Sequence, residues 1–337
     1  MKSARLSVIA SVVLTAGCGA IDRTQPAHGE ITSLIVIAAD SLWEEVGNTI
    51  EAALEPRTFT VRNEKAFEVT HVSPLSEDWI ELRRFRQVLA VGRSDDGWME
   101  PILAAGAPAE VPAIVENSDI WATGQTVTAL VLPGEGSAGA ILALLPTLGE
   151  RLDERFREYV RSRMFLSDVN EELRDSLESQ AGFSLTLPNL YRPDVDGNLY
   201  VFRSSNDVGG QLARVISVTW REGLHELTPE EVLAWRDTIA TRVFPATPGQ
   251  TIDREQVHVR ALTNRPEGSV EVHSVWQSPD RTLPAAGPFL NRVILCPDQN
   301  RTYFVEAWLF APGRRKYEYM IQFETLLDAF ECGNAAR

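Results

Sequence analysis

Three stretches of this chain carry apolar residues on one helical side only: Leu42, Val46, Ile50 and Leu54; Leu148, Leu152, Phe156 and Val160; and Met320, Phe323, Leu327 and Phe330. A helix with a single apolar stripe must bury it against another element. The partners read as strands: "SLIVIAA" (33–39), "AFEVTHV" (66–72), "QVLAVG" (87–92) and "QTVTALVLP" (125–133), then segments near 183–187, 198–204, 213–220, 256–262, 269–277, 291–296 and 301–310. Helices covering sheet faces predict an α+β fold, a two-layer sandwich of mostly antiparallel sheets covered by amphipathic helices. Ser41 and Glu44 have capping-box spacing for the first helix, and Pro56 ends it. A short helix is expected over 76–86, a loop rich in Pro and Ala between 92 and 125, and helix from 133 to about 181 with a break near Ser167 and Asp168. Thr228, Pro229 and Glu231 open another helix, and the last is expected over 314–331.

Lys2 and Arg5 precede "LSVIASVVLTAG", about a dozen apolar and small residues, and then Cys18. That run is too short to span a bilayer, which takes about 20 apolar residues, and suits the h-region of a signal peptide. Ala16-Gly17-Cys18 resembles the lipobox of bacterial lipoproteins, with Thr15 where a large apolar residue is usual. The expected division is a signal peptide (1–17), a lipidated tether (18–30), an N-terminal α/β half (31–182) and a C-terminal α+β half (183–337). Gly19 rather than Asp after the cysteine points to the outer membrane, facing the periplasm; cleavage after Ala20 would instead discard Cys18 and give a secreted or cell-surface protein. Lipidation of Cys18 leaves Cys296 and Cys332 as a possible disulfide in an oxidising compartment. The 47 acidic against 32 basic side chains, net charge -15, argue against a nucleic-acid partner.

Several motifs invite chemistry. Gly134-Glu135-Gly136-Ser137-Ala138-Gly139 follows a strand and opens a helix, as a dinucleotide fingerprint does, but Glu135 would face a pyrophosphate and no strand ends in an acid about 20 residues on; Ser137 is expected to cap the helix. "RPDVDGNLY" resembles half a calcium loop, yet Arg192 and Arg203 stand where carboxylates are needed, so an Asp-Gly turn is expected. No cofactor and no metal follow. His71 could act as a base and Arg236 with Asp237 could serve a site, though neighbours in a helix do not face each other. Trp43 and Trp276 read as core or seam aromatics. If 262 faces 269 across a hairpin, His258 meets His273, Val259 meets Val272 and Arg260 meets Glu271. Arg314, Arg315 and Lys316 crowd the start of the last helix, where the dipole disfavours cations; they would suit an anion, or else reach back to acids.

"GEITSLIVIAADSLWEEVGNTI", "HVSP" and "FRQVLAV" in the first half, with "WRDTI", "VWQSP", "AAGPFLNRVI" and "WLFAPGRRK" in the second, resemble a family of uncharacterised bacterial lipoproteins known only as a domain of unknown function. The resemblance spans about 29–331 and matches Trp43, Gly47, His71, Pro74, Gln125, Arg236, Asp237, Trp276, Gly287, Pro288, Phe289, Ala311, Pro312 and Lys316, roles unknown. It departs at "LEPRTFTVRNEKAF" and at Ala286-Gly287, where the family has two glycines. The resemblance implies a lipoprotein address and no activity. The expected function is a non-enzymatic binding or assembly module, anchored to the outer membrane and contacting an unknown envelope protein or ligand. The competing expectation is an envelope hydrolase with a cleft between the halves, using His71, Asp237 or other carboxylates there. A histidine within reach of Ser, Thr or Asp would favour the enzyme; a seam of Trp and Phe would favour the binder.

Overall fold

The computed structural model describes residues 25–333 except 105, 206, 208–210, 245–248, 281 and 283, so Cys18 and its h-region lie outside the described residues. The chain is α+β, as the helical stripes require. Its first half runs β1 (Ser33–Ile37), α1 (Asp40–Leu54), a two-residue pair β2 (Arg57–Thr58) and β3 (Glu64–Lys65), β4 (Glu68–Val72), α2 (Trp79–Leu82), β5 (Gln87–Gly92), β6 (Ala113–Ser118), β7 (Thr126–Val131) and α3 (Ser137–Met164). The sheet order is β4-β1-β5-β7-β6. Antiparallel pairing dominates the chain as a whole, and this first sheet is the exception: β4, β1, β5 and β7 are parallel, with only β6 reversed. Strands buried on both faces read as continuous apolar runs, which is what "SLIVI" and "QVLAVG" are. Leu34, Val36, Leu89 and Leu130 face α1 and α3, while Ile35, Ile37, Ala90 and Val127 meet Trp79 of α2 and Met99, Ile102 and Trp121 from the connecting loops.

Three local expectations change. α1 starts two residues earlier than that capping box requires, at Asp40, with Ala39 in place of Ser41 as its cap and no side-chain capping bond. The Asp40 carboxylate instead accepts from Ser73 Oγ at 2.9 Å, tying the helix start to the end of β4. The helix expected over 76–86 shortens to the single turn of α2 because Arg86 N–H is drawn to His28 O at 2.9 Å, turning the chain into β5. The loop before 125 contains β6, which is only half-buried and so leaves no apolar run to read.

The second half runs α4 (Glu171–Ala181), β8 (Phe183–Leu185), β9 (Tyr191–Asp196), β10 (Leu199–Ser204), β11 (Ala213–Glu222), α5 (Pro229–Val243), β12 (Thr251–Ile252), β13 (His258–Ala261), β14 (Val270–Gln277), β15 (Ala286–Cys296), β16 (Arg301–Phe310), α6 (Tyr317–Asp328) and β17 (Phe330–Cys332). Its sheet is antiparallel, ordered β12-β14-β15-β16-β11-β10-β9 with β13 also on β14. One face lies under α5, whose start is the expected capping box of Thr228 and Glu231. The other lies under α4 and α6. Leu177 and Ala181 of α4 pack in this second core, so the change of core falls ahead of residue 182. α6 starts later and ends earlier than 314–331, because a turn bond from Arg314 N–H to Ala311 O holds the preceding residues out of the helix. The chain beyond α6 becomes β17, paired with β8, and this brings Cys332 to Cys296: the two form a disulfide with Cα atoms 5.8 Å apart.

α6 is shared. Met320, Phe323, Leu326 and Leu327 enter the second core and Ile321 the first, beside α3. Arg157 of α3 pairs with Glu324 at 2.6 Å, and the Tyr317 hydroxyl donates to Asp153.

Candidate functional site

A groove of about 630 Å³ opens where the halves meet, between the β13–β14 hairpin, α3 and α6. Its floor is set by strand register. His258 stands opposite His273 and Arg260 opposite Glu271, while Glu271 also faces Arg292 across β14 and β15. Side chains alternate across a strand, so these polar residues share the α6 side of the sheet, with Val259 and Val272 on the other. Glu271 receives Arg260 Nε at 2.5 Å and Arg292 Nε at 2.8 Å, and Arg292 also donates to Asp328 at 2.7 Å. Burial opposes ionisation of Glu271, but the hydrogen bonds from the two guanidinium groups outweigh it and hold its carboxyl below the usual range.

Phe59, from the loop between β2 and β3, packs against the two histidines of the floor. Its ring lies 4.5 Å from the His258 ring and 4.8 Å from the His273 ring. Burial, then the neighbouring His258, pushes His273 down to about 4, and its Nε2 has no hydrogen-bond partner. This histidine therefore stays neutral near pH 7. The two imidazoles are 6.4 Å apart, and no group of three or more His, Cys, Asp or Glu able to hold a metal occurs among the described residues.

The positions singled out by the family motifs gather in two other places. In the first half, Trp43 stacks on His71 at 4.4 Å with ring planes 4° apart, and His71 Nε2 is bonded to Ala38 O at 3.0 Å. A Cβ at Gly47 would lie 2.7 Å from the Trp43 ring, which is why glycine stands there. Gln125 pins the turn before β5 by donating to Arg83 O and Phe85 O. In the second half, Arg236 drops from α5 onto the Phe289 ring at 4.7 Å and pairs with Glu306 at 3.0 Å, both fully buried. Asp237 turns the other way, toward Arg254 at 3.7 Å; burial raises its carboxyl above the usual range, with Arg236 opposing. Trp276 Nε1 donates to Leu309 O at 2.9 Å beside Gly287, and Pro288 is buried in β15 opposite Val275. None of these lines the groove, so the residues matched by motif brace the two halves. Arg157, Arg260, Glu271, Arg292, Glu324 and Asp328 line the groove instead, with Phe59 packed against its two histidines. The one sequence signal for them is the hairpin parity that sets Arg260 against Glu271.

The remaining candidates are accounted for locally. Arg315 pairs with Glu68, and Lys316 donates from both backbone and side chain to Glu64, so these cations reach back to acids of the first half; Arg314 stays exposed. Gly136, with φ +71°, occupies the N-cap position of α3, and Ser137 Oγ turns back to Pro133 O instead of capping. The Asp-Gly turn joins β9 to β10 with Gly197 at φ +62°. Among the described residues no helix is long and apolar enough to cross a membrane.

Residues 170–329 match the family described as "Domain of unknown function (DUF4837)", and residues 27–165 match "Domain of unknown function (DUF8532)". Each half of the chain is thus similar to a domain of unknown function. No curated protein matches it in sequence. Among solved structures, cyanobacterial PsbP (CyanoP) from Synechocystis sp. PCC 6803 is similar at 16% identity over 46% of this chain and 88% of its own, with a TM-score of 0.31. The Saccharomyces cerevisiae Ran-binding protein Mog1p is similar at 11% identity over 45% of this chain and 91% of its own, TM-score 0.31.

Proposed function

We propose that this chain is a non-enzymatic binding or assembly module of the cell envelope, held to the outer membrane through acylated Cys18. The observation that carries the binding role is the groove between the halves, where Arg157, Arg260 and Arg292 are already paired with Glu324, Glu271 and Asp328. Such an arrangement fixes the shape and charge of a surface before a partner arrives, which lowers the cost of association. Hydrolysis at this place needs a base with a nucleophile or water and an orienting partner. His273 Nε2 has no partner, and His71 Nε2 is committed to a backbone carbonyl. The address rests on the h-region ending at Ala16-Gly17-Cys18 and on Gly19 after it. Acyl chains add about 0.8 kcal/mol per buried CH₂, so several of them anchor a chain without a spanning helix.

Palmitate labelling and membrane fractionation of wild type and Cys18→Ser test the address. Loss of label with release from membranes is expected, and membrane retention of the variant would overturn it. Hydrolysis of an ester or amide panel that His71→Ala or His273→Ala abolishes would overturn the non-enzymatic reading.

A further inference from the structure

The sheet of the second half has two edges, and they are built differently. β9 carries Pro193 with Asp194 and Asp196, the devices that keep an edge from pairing with other chains. β13, with sequence HVRA, has no proline and no acid, and all four residues are exposed.

The register identifies which backbone groups β13 leaves open. Leu262 N–H donates to Ser269 O at 3.0 Å, and 262 lies opposite 269 in the pairing that sets Ala261 against Val270. Hydrogen-bonded and non-bonded pairs alternate in an antiparallel ladder. His258 and Arg260 therefore bond inward to β14, and the N–H and C=O groups of Val259 and Ala261 point outward, where they have no partner among the described residues.

Side chains specify what would fit. The row Arg292, Glu271, Arg260 runs across β15, β14 and β13 as plus, minus, plus, and its outermost member is 61% exposed. The next place in that row calls for a carboxylate. On the opposite face the edge is apolar: Val259, 45% exposed, stands outside Val272, and Ala261 stands outside Val270 and Val293. Those places call for apolar residues.

We propose that β13 accepts an extended segment of a partner protein as an added antiparallel strand, with a carboxylate opposite Arg260 flanked by apolar residues opposite Val259 and Ala261. This rests on reading the chain as a binding module and names its partner chemistry. Backbone pairing supplies attraction, and the alternating side chains supply selectivity. Because Arg260 sits at a non-hydrogen-bonded position of the new ladder, where Cα atoms approach to about 4.5 Å, it meets the incoming acid at close range.

The test uses the full chain in detergent micelles and a fluorescent Thr-Val-Glu-Val-Thr peptide with blocked ends, read by anisotropy. Binding is expected, weakened at least tenfold when Lys replaces the peptide's Glu and abolished when both Val amides are N-methylated. Val259→Pro removes only an outward N–H, so β13 stays paired to β14 while peptide binding falls at least tenfold. No binding, or equal binding by the N-methylated peptide, overturns the proposal without reference to any protein variant. Self-association through β13 that the peptide does not compete with also overturns it. Cys18→Ser leaves the peptide assay unchanged, so loss of the membrane address and loss of edge pairing are read separately.

Discussion

Arg236 Nε lies 3.0 Å from Glu306 Oε1, with both side chains sealed between α5 and the sheet. Arg236 Nη2 also donates to Gln250 at 2.9 Å, yet Arg236 Nη1, Glu306 Oε2 and both amide atoms of Asn291 are left without partners. Burial pushes the Glu306 carboxyl above its usual range, and Arg236 opposes that shift. Removing one partner strands the other's charge in a dry layer. Arg236→Ala is expected to cost about 3–5 kcal/mol in urea unfolding, while the double variant Arg236→Met, Glu306→Leu should be more stable than either single one. A double variant less stable than both singles would contradict this account of the pair.

His273 gives the chain an acid-side stability loss of defined sign. Its folded pKa, about 4, lies below the ordinary 6.5, so between those values the unfolded chain binds more protons than the folded one. Stability therefore rises with pH through this window and is lost as pH falls through it. At about 1.4 kcal/mol per unit the full effect is about 3 kcal/mol. His273→Leu should remove that part of the dependence, seen as a wild-type minus variant difference in unfolding free energy that grows from pH 4 to 6.5 and then levels off.

Gly287 is a packing requirement. A Cβ there would stand 1.8 Å from Leu309 O and 2.6 Å from Trp276 Nε1, closer than any atoms approach without the strands moving apart. Gly287→Ala should destabilise by about 3 kcal/mol or more, the upper end for overpacking, because backbone rather than a flexible side chain must yield. The midpoint of urea unfolding, followed by far-ultraviolet circular dichroism, checks this.

The cations before α6 serve the join between the halves. Arg315→Gln should cost under about 1 kcal/mol, since its pair with Glu68 is half-exposed, and Lys316→Gln more, since the Lys316–Glu64 pair is mostly buried. Neither change should alter binding to anionic liposomes. Lost liposome binding at unchanged melting temperature would show an anion site instead.

What could be read from the residues was whatever repeats at a fixed short period. The stripes of α1 and α3, most of α6, and the apolar runs of β1, β5 and β7 follow from 3.6- and 2-residue spacing. The β13–β14 pairing was legible because a one-residue slip would turn His258 and Arg260 onto the apolar face. β6 was not, since partial burial on an edge erases the pattern, and the extent of α2 was not, since a backbone bond to His28 draws the chain out of the helix. The lining of the groove escaped for another reason: Arg157, Glu271 and Glu324 come together only through the docking of one half on the other, and no local period encodes that.

The sharing of α6 has a consequence for synthesis. The segment matched to the first family ends at 165, but the hydrophobic interior of that half is closed by Ile321, and Phe156 packs against Tyr317 at 5.5 Å. During vectorial synthesis the leading half must wait with that surface uncovered until the trailing end of the polypeptide arrives. The two halves therefore mature together, and a chain truncated before residue 317 would present its apolar α3 flank to the chaperones and proteases of its compartment.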